Sequence, residues 1–252
     1  MDRLRVATLN ILNLADRWAE RLPLILADMA ALQPDVLGLQ EVVYPMQQDR
    51  LIGAAGEGRY EIHRGWAGRP EYGNALLLRE PRTAIEVERL DLGRNRSALR
   101  GMVQVDGGAT LRVVVTHLHH VPADEAARDE QVTRLVEWLG ASTGPGAEVV
   151  VGDFNAEPDE PATARMRAAG FRSALAEANG ADPAVTWPSG LQAPAMDTDG
   201  PPGCLDYIWL RGGVQVERAR LAWNRPAVDD PTLYPSDHLG LVADIVVAGP
   251  PA

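Results

Sequence analysis

Apolar positions along the chain fall into short runs separated by longer stretches of helical spacing. Residues 4–9 form an apolar run that reads as a buried strand. Over 18–32, Leu22, Ile25, Leu26 and Met29 recur at helical intervals. Pro23 lacks an amide hydrogen, so the regular helix is predicted to begin near it. Gln33-Pro34-Asp35 ends that segment, and 36–39 is a second strand. A second helix is predicted over 46–55. Strand patterns follow at 60–63, 75–78, 84–90, 102–105 and 111–115, the last preceded by Asp106-Gly107-Gly108-Ala109 as a hairpin turn. Residues 123–139 place Val132, Leu135, Val136 and Leu139 on one helical face. A strand at 148–151 and a helix at 160–169 come next, with Gly170 as its C-cap. Strands at 205–210, 214–221 and 239–247 complete the pattern. The stretch 179–203, rich in Pro, Gly, Asp and Ala, reads as a long surface loop, and the tail 249–252 as frayed.

About ten strands and four helices are thus interleaved. No composition break marks a linker, so residues 1–252 read as one α/β domain. A rhythm of strand, helix, strand near 4–41 recurs near 111–155, a hint of pseudo-symmetry without a sequence repeat.

Composition narrows the classes. Apolar residues make up 46% and charged residues 23%, which excludes a disordered chain. The lone Cys204 excludes a disulfide scaffold. No run approaches the roughly 20 apolar residues of a membrane-spanning helix. The start, Met1-Asp2-Arg3-Leu4-Arg5, lacks the apolar segment and cleavage site of a secretory signal. The expectation is a cytoplasmic protein with no membrane span and no obligate protein partner. All 24 basic residues are arginine; against 35 acidic ones they leave a net charge of −11. That charge disfavours a broad nucleic-acid surface, although a local arginine patch stays open.

The chemistry sits where apolar runs stop. Asn10 follows Val6-Ala7-Thr8-Leu9, Glu41 follows Leu39-Gln40, and His117 follows Val115-Thr116. Asp153-Phe154-Asn155 follows Val151-Gly152, Asp206 precedes Tyr207-Ile208, and Ser236-Asp237-His238 precedes Leu239. In a layered α/β domain such ends can converge on one edge. Four carboxylates meeting there repel one another and stay ionised only around a cation. Carboxylate and amide oxygens are hard ligands that favour Mg²⁺ or Mn²⁺, whose remaining positions can hold a phosphate oxygen. Taken singly, each residue could equally cap a strand or turn. His117 and His119 share a strand face, which would suit zinc, but the other histidines sit in unrelated contexts and a catalytic zinc wants three protein ligands. Asp153, Asn155, Glu157 and Asp159 imitate a calcium loop, but Pro158 stands where glycine is needed and Ala164 where the last glutamate is needed.

Thr8-Leu9-Asn10, Leu39-Gln40-Glu41-Val42, Tyr72-Gly73-Asn74-Ala75, Thr116-His117-Leu118, Gly152-Asp153-Phe154-Asn155, Leu205-Asp206-Tyr207-Ile208 and Ser236-Asp237-His238 resemble, in order, the motifs of the endonuclease/exonuclease/phosphatase superfamily. The segments 204–209 and 234–239 are most similar to its nocturnin and deadenylase branch. The resemblance implies a four-layer α/β/β/α sandwich of two mainly antiparallel sheets, DNase I-like. It also implies a Mg²⁺- or Mn²⁺-dependent hydrolase acting on phosphodiesters or phosphomonoesters, with nucleases and a non-catalytic binding module as alternatives. By that resemblance Glu41, Asn10 and Asp237 would hold the metal. Asp153 would activate the attacking water and Asn155 would hold that water or a phosphate oxygen. His238, oriented by Asp206, would stand over the phosphorus, and His117 would bind a second phosphate oxygen. Where relatives carry an acid that orients the first histidine, the nearest positions here are Asn74 and Glu71. Where the nocturnin-like branch is often basic, this chain has His119. Asn74, Arg100, His119 and Trp187 are the candidate substrate contacts. A surface ion pair is the plainer reading of Arg100, and packing that of Trp187. The acidic charge favours a small phosphoester over a long nucleic acid.

Overall fold

The computed structural model describes residues 2–105, 108–140, 146–194 and 200–248. In chain order the elements are β1 (Asp2–Asn10), α1 (Trp18–Leu32), β2 (Val36–Val43), α2 (Gln48–Ala54), β3 (Tyr60–Gly65), β4 (Tyr72–Arg79), β5 (Ala84–Gly93) and β6 (Arg96–Gln104). They continue with β7 (Thr110–His117), α3 (Glu125–Gly140), β8 (Ala147–Asp153), α4 (Pro161–Ala168), β9 (Arg172–Ser173), α5 (Ala174–Asn179), β10 (Asp206–Arg211), β11 (Val214–Ala222) and β12 (Gly240–Val247). One sheet runs β11-β12-β1-β2-β4-β3 and the other β5-β6-β7-β8-β10-β9. Among the described residues, β1/β2 and β7/β8 pair in parallel and the other pairings are antiparallel. Each parallel pair is bridged by a helix, α1 or α3, which is the recurring rhythm of the sequence.

Side chains on a strand alternate between faces, so a strand covered on both sides must be apolar throughout. Val6, Val113 and Val115 point into the layer between the sheets, where Leu4, Leu76, Leu99 and Ile245 join them. Their neighbours point outward. Ala7 and Leu9 meet Ile25 and Met29 of α1, while Val114 and Val150 meet Val132 and Leu135 of α3. Three apolar layers therefore separate four structural ones, a DNase I-like α/β/β/α sandwich.

Several boundaries differ from the sequence expectation. Helix α1 starts at Trp18 and keeps Pro23 inside it; one lost amide bond in an early turn is offset by the buried face of Ile25, Met29 and Leu32. Strand β6 begins six residues before its apolar run, at Arg96, because Ser97, Ala98 and Leu99 are buried between the neighbouring strands while Arg96, Ser97 and Arg100 dilute the apolar pattern. The proposed loop from 179 is preceded by a helix, α5, capped by the Ser173 side chain. The hairpin turn expected over 106–109, the middle of the 179–203 loop and the 249–252 tail lie partly or wholly outside the described residues.

Candidate active site

In the second sheet, three neighbouring strands deliver polar side chains at one level. His117 on β7 is in register with Asp153 on β8, and Asp153 with Asp206 on β10. Gly152 makes this possible: it adopts φ 147°, and a Cβ there would lie 1.9 Å from the Thr116 carbonyl oxygen. In the first sheet, β1 ends at Asn10, and β2 carries Glu41 at a break in its register with β4. Glu41 has φ 62°, a left-handed conformation that re-aims its side chain.

The two sheets meet at Asp153, which is 1% exposed. Its Oδ2 accepts from Asn10 Nδ2 at 3.0 Å and lies 3.4 Å from His117 Nε2 and 3.6 Å from His238 Nε2. Its Oδ1 accepts from the Asn155 amide at 2.8 Å. His238 donates from Nδ1 to Asp206 Oδ2 at 2.9 Å. Asn10 Nδ2 also reaches Glu41 Oε1 at 3.4 Å, and Asn13 Nδ2 donates to Glu41 Oε2 at 2.7 Å. Asn10 Oδ1 accepts from the Leu12 amide, so its nitrogen is what faces the carboxylates. Asp237 accepts from Trp187 Nε1 at 3.2 Å and from Ser236. These groups open on a cavity of about 550 Å³.

Burial pushes Asp153 up to about 7, with Asp206 adding to the rise and His238, Asn10 and the Asn155 amide opposing it. For His238 burial works downward, but Asp206, Asp153 and Asp237 outweigh it and hold the imidazole well above its ordinary value. His117 goes the other way: burial, then Arg96 and His238, hold it well below. Asp153, Asp206 and His238 also place ligand-type atoms within 4.8 Å of one another. Behind the site, Arg21 is wholly buried, and its guanidinium donates to the carbonyls of Ile11, Leu12, Ala15, Asp16 and Pro235. It thereby ties the loop after β1 to the segment that leads into Asp237 and His238. Burial draws this guanidinium down to about 10, against the pull of Asp237.

The sequence profile of the Endonuclease/Exonuclease/phosphatase family matches residues 7–238. The chain belongs to this family. Within it, similarity runs to nocturnin. Rat (Rattus norvegicus) nocturnin is 28% identical over 90% of this chain, and the human (Homo sapiens) protein matches equally. The chain spans 58% of the length of these curated relatives. Among solved structures, the human nocturnin catalytic domain with bound sulfate superposes with a TM-score of 0.75 at 26% identity, covering 98% of this chain and 97% of that one. An endonuclease/exonuclease/phosphatase from Bacteroides vulgatus gives a TM-score of 0.79 at 21% identity, over 98% and 100% of the two chains.

Of the family-motif residues, Asn10, Glu41, His117, Asp153, Asn155, Asp237 and His238 all line the cavity, and Asp206 stands directly behind His238. Trp187 lines it as well, and is buried with its indole nitrogen on Asp237. Three candidate substrate contacts lie outside the cavity lining. Asn74 is 2% exposed and donates to the Ser97 carbonyl, bracing β4 against β6. Arg100 pairs with Glu88 and lies over the Trp138 ring; it is four positions along β6 from Arg96, about 13 Å at strand rise. His119 turns toward α3, with its amide on Gln131 and its Nε2 3.4 Å from Asp124. Its exposed neighbour His120 lines the cavity instead. Sequence reasoning missed Asn13, Tyr72 and Arg96. Tyr72 lines the cavity beside Glu41, and burial and that carboxylate push its phenol far up. Its signal was its place in the Tyr72-Gly73-Asn74-Ala75 motif. Arg96 had no such signal, since the apolar pattern placed the strand six residues later, and it reaches both His117 and His120.

Proposed function

We propose that the chain is a divalent-metal-dependent phosphoesterase acting on a small phosphodiester or phosphomonoester. The supporting observation is the meeting of donors from both sheets on Asp153 Oδ2, beside the Glu41 carboxylate. Family membership and the sulfate held by the human nocturnin catalytic domain, a tetrahedral anion like phosphate, point the same way.

The donor set fits a hard cation. Glu41 and Asp237 contribute carboxylate oxygens that face amides, an indole and hydroxyls, with no arginine in ion-pair contact among the described residues. Glu41 would hold the ion, with Asp237 and Asn10 beside it, directly or through water. Asp206 and His238 are already bonded to each other, which leaves Asp153, Asp206 and His238 better suited to moving protons than to ligating. When bound, Mg²⁺ or Mn²⁺ supplies Lewis-acid stabilisation of charge on the leaving oxygen.

Asp153 accepts the proton of the attacking water through Oδ2, its raised pKa matching it to work near neutral pH. Asn155 donates Nδ2 to the Leu118 carbonyl, which leaves its oxygen to orient that water. His238, kept charged by its carboxylate neighbours, donates from Nε2 to a phosphoryl oxygen. Asp206 accepts from Nδ1–H and orients the doubly protonated ring, so that the Nε2–H faces the phosphoryl oxygen. His117 donates to a second phosphoryl oxygen. The outer cavity wall carries Glu125, Glu157, Asp159 and Glu160, and a wall of that sign repels a polyanion. Its volume lies in the range of small-molecule sites.

The test is a substrate panel assayed with Mg²⁺ or Mn²⁺, with and without EDTA. It comprises a nitrophenyl diester, a nucleotide monoester, an inositol phosphate, oligo-adenylate and plasmid DNA. Hydrolysis of a small ester that EDTA abolishes is expected. Cleavage confined to nucleic acid, falling steeply with salt, would make the protein a nuclease. No turnover of any ester with metal present would leave a binding module.

A further inference from the structure

We propose that Arg96 is a positioning residue that fixes His117, and with it His120, in the tautomer carrying the proton on Nε2, making His117 a hydrogen-bond donor to the substrate and not a base. The kinetic part of this inference rests on the phosphoesterase reading; the tautomer part does not.

The geometry is a fork. Arg96 Nη1 lies 3.2 Å from His117 Nδ1, and Nη2 lies 3.1 Å from His120 Nδ1. A guanidinium has donors only. Both ring nitrogens must therefore accept, and a neutral imidazole that accepts at Nδ1 carries its proton at Nε2. For His117 that N–H is the atom facing Asp153 Oδ2 at 3.4 Å. An orienting acid would do the reverse: it would accept a hydrogen bond from Nδ1–H and, in the neutral ring, leave Nε2 a lone pair. The positions where such an acid is expected offer none that reaches the ring. Asn74 is turned to Ser97, and Glu71 is exposed. Arg96 is free to play this part because no carboxylate forms an ion pair with it among the described residues, whereas Arg128, the other arginine of the cavity wall, is held by Glu160. Strand β6 supplies the rigidity. Ser97, next to Arg96, has its carbonyl fixed by Asn74 at 2.9 Å and Thr116 at 3.4 Å. The buried Asn74 thus acts two bonds removed from the chemistry, by holding the strand that holds the arginine.

The experiment combines long-range ¹H–¹⁵N correlation of the histidine rings with steady-state kinetics on the nitrophenyl diester. His117→Gln and His120→Gln assign the signals. In the unmodified protein both rings should show the proton on Nε2. In Arg96→Met the His117 ring should shift to a mixture of tautomers, kcat should fall about ten- to a hundredfold, and KM should change less than about threefold. Arg96→Lys, which offers a donor without the fork, should recover one ring's tautomer and part of kcat; it also serves if the methionine variant does not fold. A proton on Nδ1 of His117 in the unmodified protein overturns the inference. So does an Arg96→Met variant that changes kcat without changing the tautomer, or the tautomer without kcat. If the unmodified protein hydrolyses nothing in the panel, the phosphoesterase reading fails, and the ring spectra alone decide the tautomer.

Discussion

The two ends of the sandwich treat their carboxylates differently. At the end away from the cavity, Asp35 accepts from the Arg5 amide and is paired with both Arg79 and Arg82, while Asp244 is paired with Arg5. At the cavity end, Glu41, Asp153, Asp206 and Asp237 meet amides, imidazoles, a phenol, an indole and hydroxyls, with no arginine in ion-pair contact among the described residues. The chain has arginine enough, since 24 are spread along it. Even Arg21, buried directly behind the site, gives its donors to carbonyls. One end is neutralised internally and holds the layers together. The other keeps an excess of negative charge that an external cation would balance.

The sharpest way to break this comparison is to remove one carboxylate at each end. Asp153→Asn and His238→Ala should each lower kcat on the nitrophenyl diester at least about a hundredfold, with the thermal midpoint within a few degrees. Asp35→Asn should do the opposite. Stripping a buried carboxylate from its arginines costs about 3 kcal/mol. For a chain of this size that is a fall of about 6–12 °C in midpoint, with kcat within about twofold. Kinetics and calorimetry on the three variants decide it. An Asp35 variant that loses activity in step with stability would show that the ends are not separable.

The next largest effect is metal-linked stability. A ligand that binds only the folded state at a hundred times its Kd adds about 2.7 kcal/mol. Titrating the metal-free protein with Mn²⁺ should therefore raise its midpoint by about 5–11 °C. Glu41→Gln should lose most of that rise, while Asp35→Asn should keep it from its lower baseline. A Glu41 variant that gains as much as the parent would move the cation elsewhere, to Asp153, Asp206 and His238 first.

The cavity end was far more legible in the sequence than the other. Asn10, Glu41, His117, Asp153, Asp206 and Asp237 each interrupt or terminate an apolar run, and a polar residue at the end of a buried strand is visible without coordinates. What was not visible is partner choice. Arg96 and Arg100 lie on one strand face four positions apart, and only the registers of β6 against β7 and against β5 bring the first to His117 and the second to Glu88. His119 and His120 are adjacent, and the chain's turn after β7 decides which one faces the cavity. The ion pairs of Asp35 likewise need the tertiary fold, since Arg79 and Arg82 are remote in sequence. Strand β6 was half missed for a related reason: Arg96, Ser97, Arg100 and Gly101 dilute its apolar signal, although the strand is paired on both sides.

A separate effect is expected in the pH dependence of stability without metal. Asp153 has its folded pKa raised from the ordinary carboxylate value to about 7. A raised value means that the proton is bound more tightly in the folded state. Its contribution is complete below about pH 4 and is lost as the pH rises through about 7. Asp153→Asn removes this dependence. The midpoint difference, parent minus variant, should therefore fall between pH 4 and 7 and level off above. Denaturation scans in EDTA across that range read it directly. A difference that grows with pH would mean that Asp153 is stabilised as the anion, and that the cavity end is balanced internally after all.

The smallest effect is also the most specific to how the strands are registered. Arg100 and His119 carry charge or a ring close in sequence to the site, yet the first pairs with Glu88 and the second faces Asp124. Arg100→Met and His119→Gln should each leave kcat and KM within about twofold, because neither side chain lines the cavity and their partners, Glu88 and Asp124, do not line it either. Arg96→Met, four residues from Arg100, should by contrast lower kcat about ten- to a hundredfold. The three variants assayed side by side test the β6/β7 register through function alone. If Arg100→Met matched Arg96→Met in its loss, the strand would have to present its other arginine to the substrate, and the assignment of His117's partner would change with it.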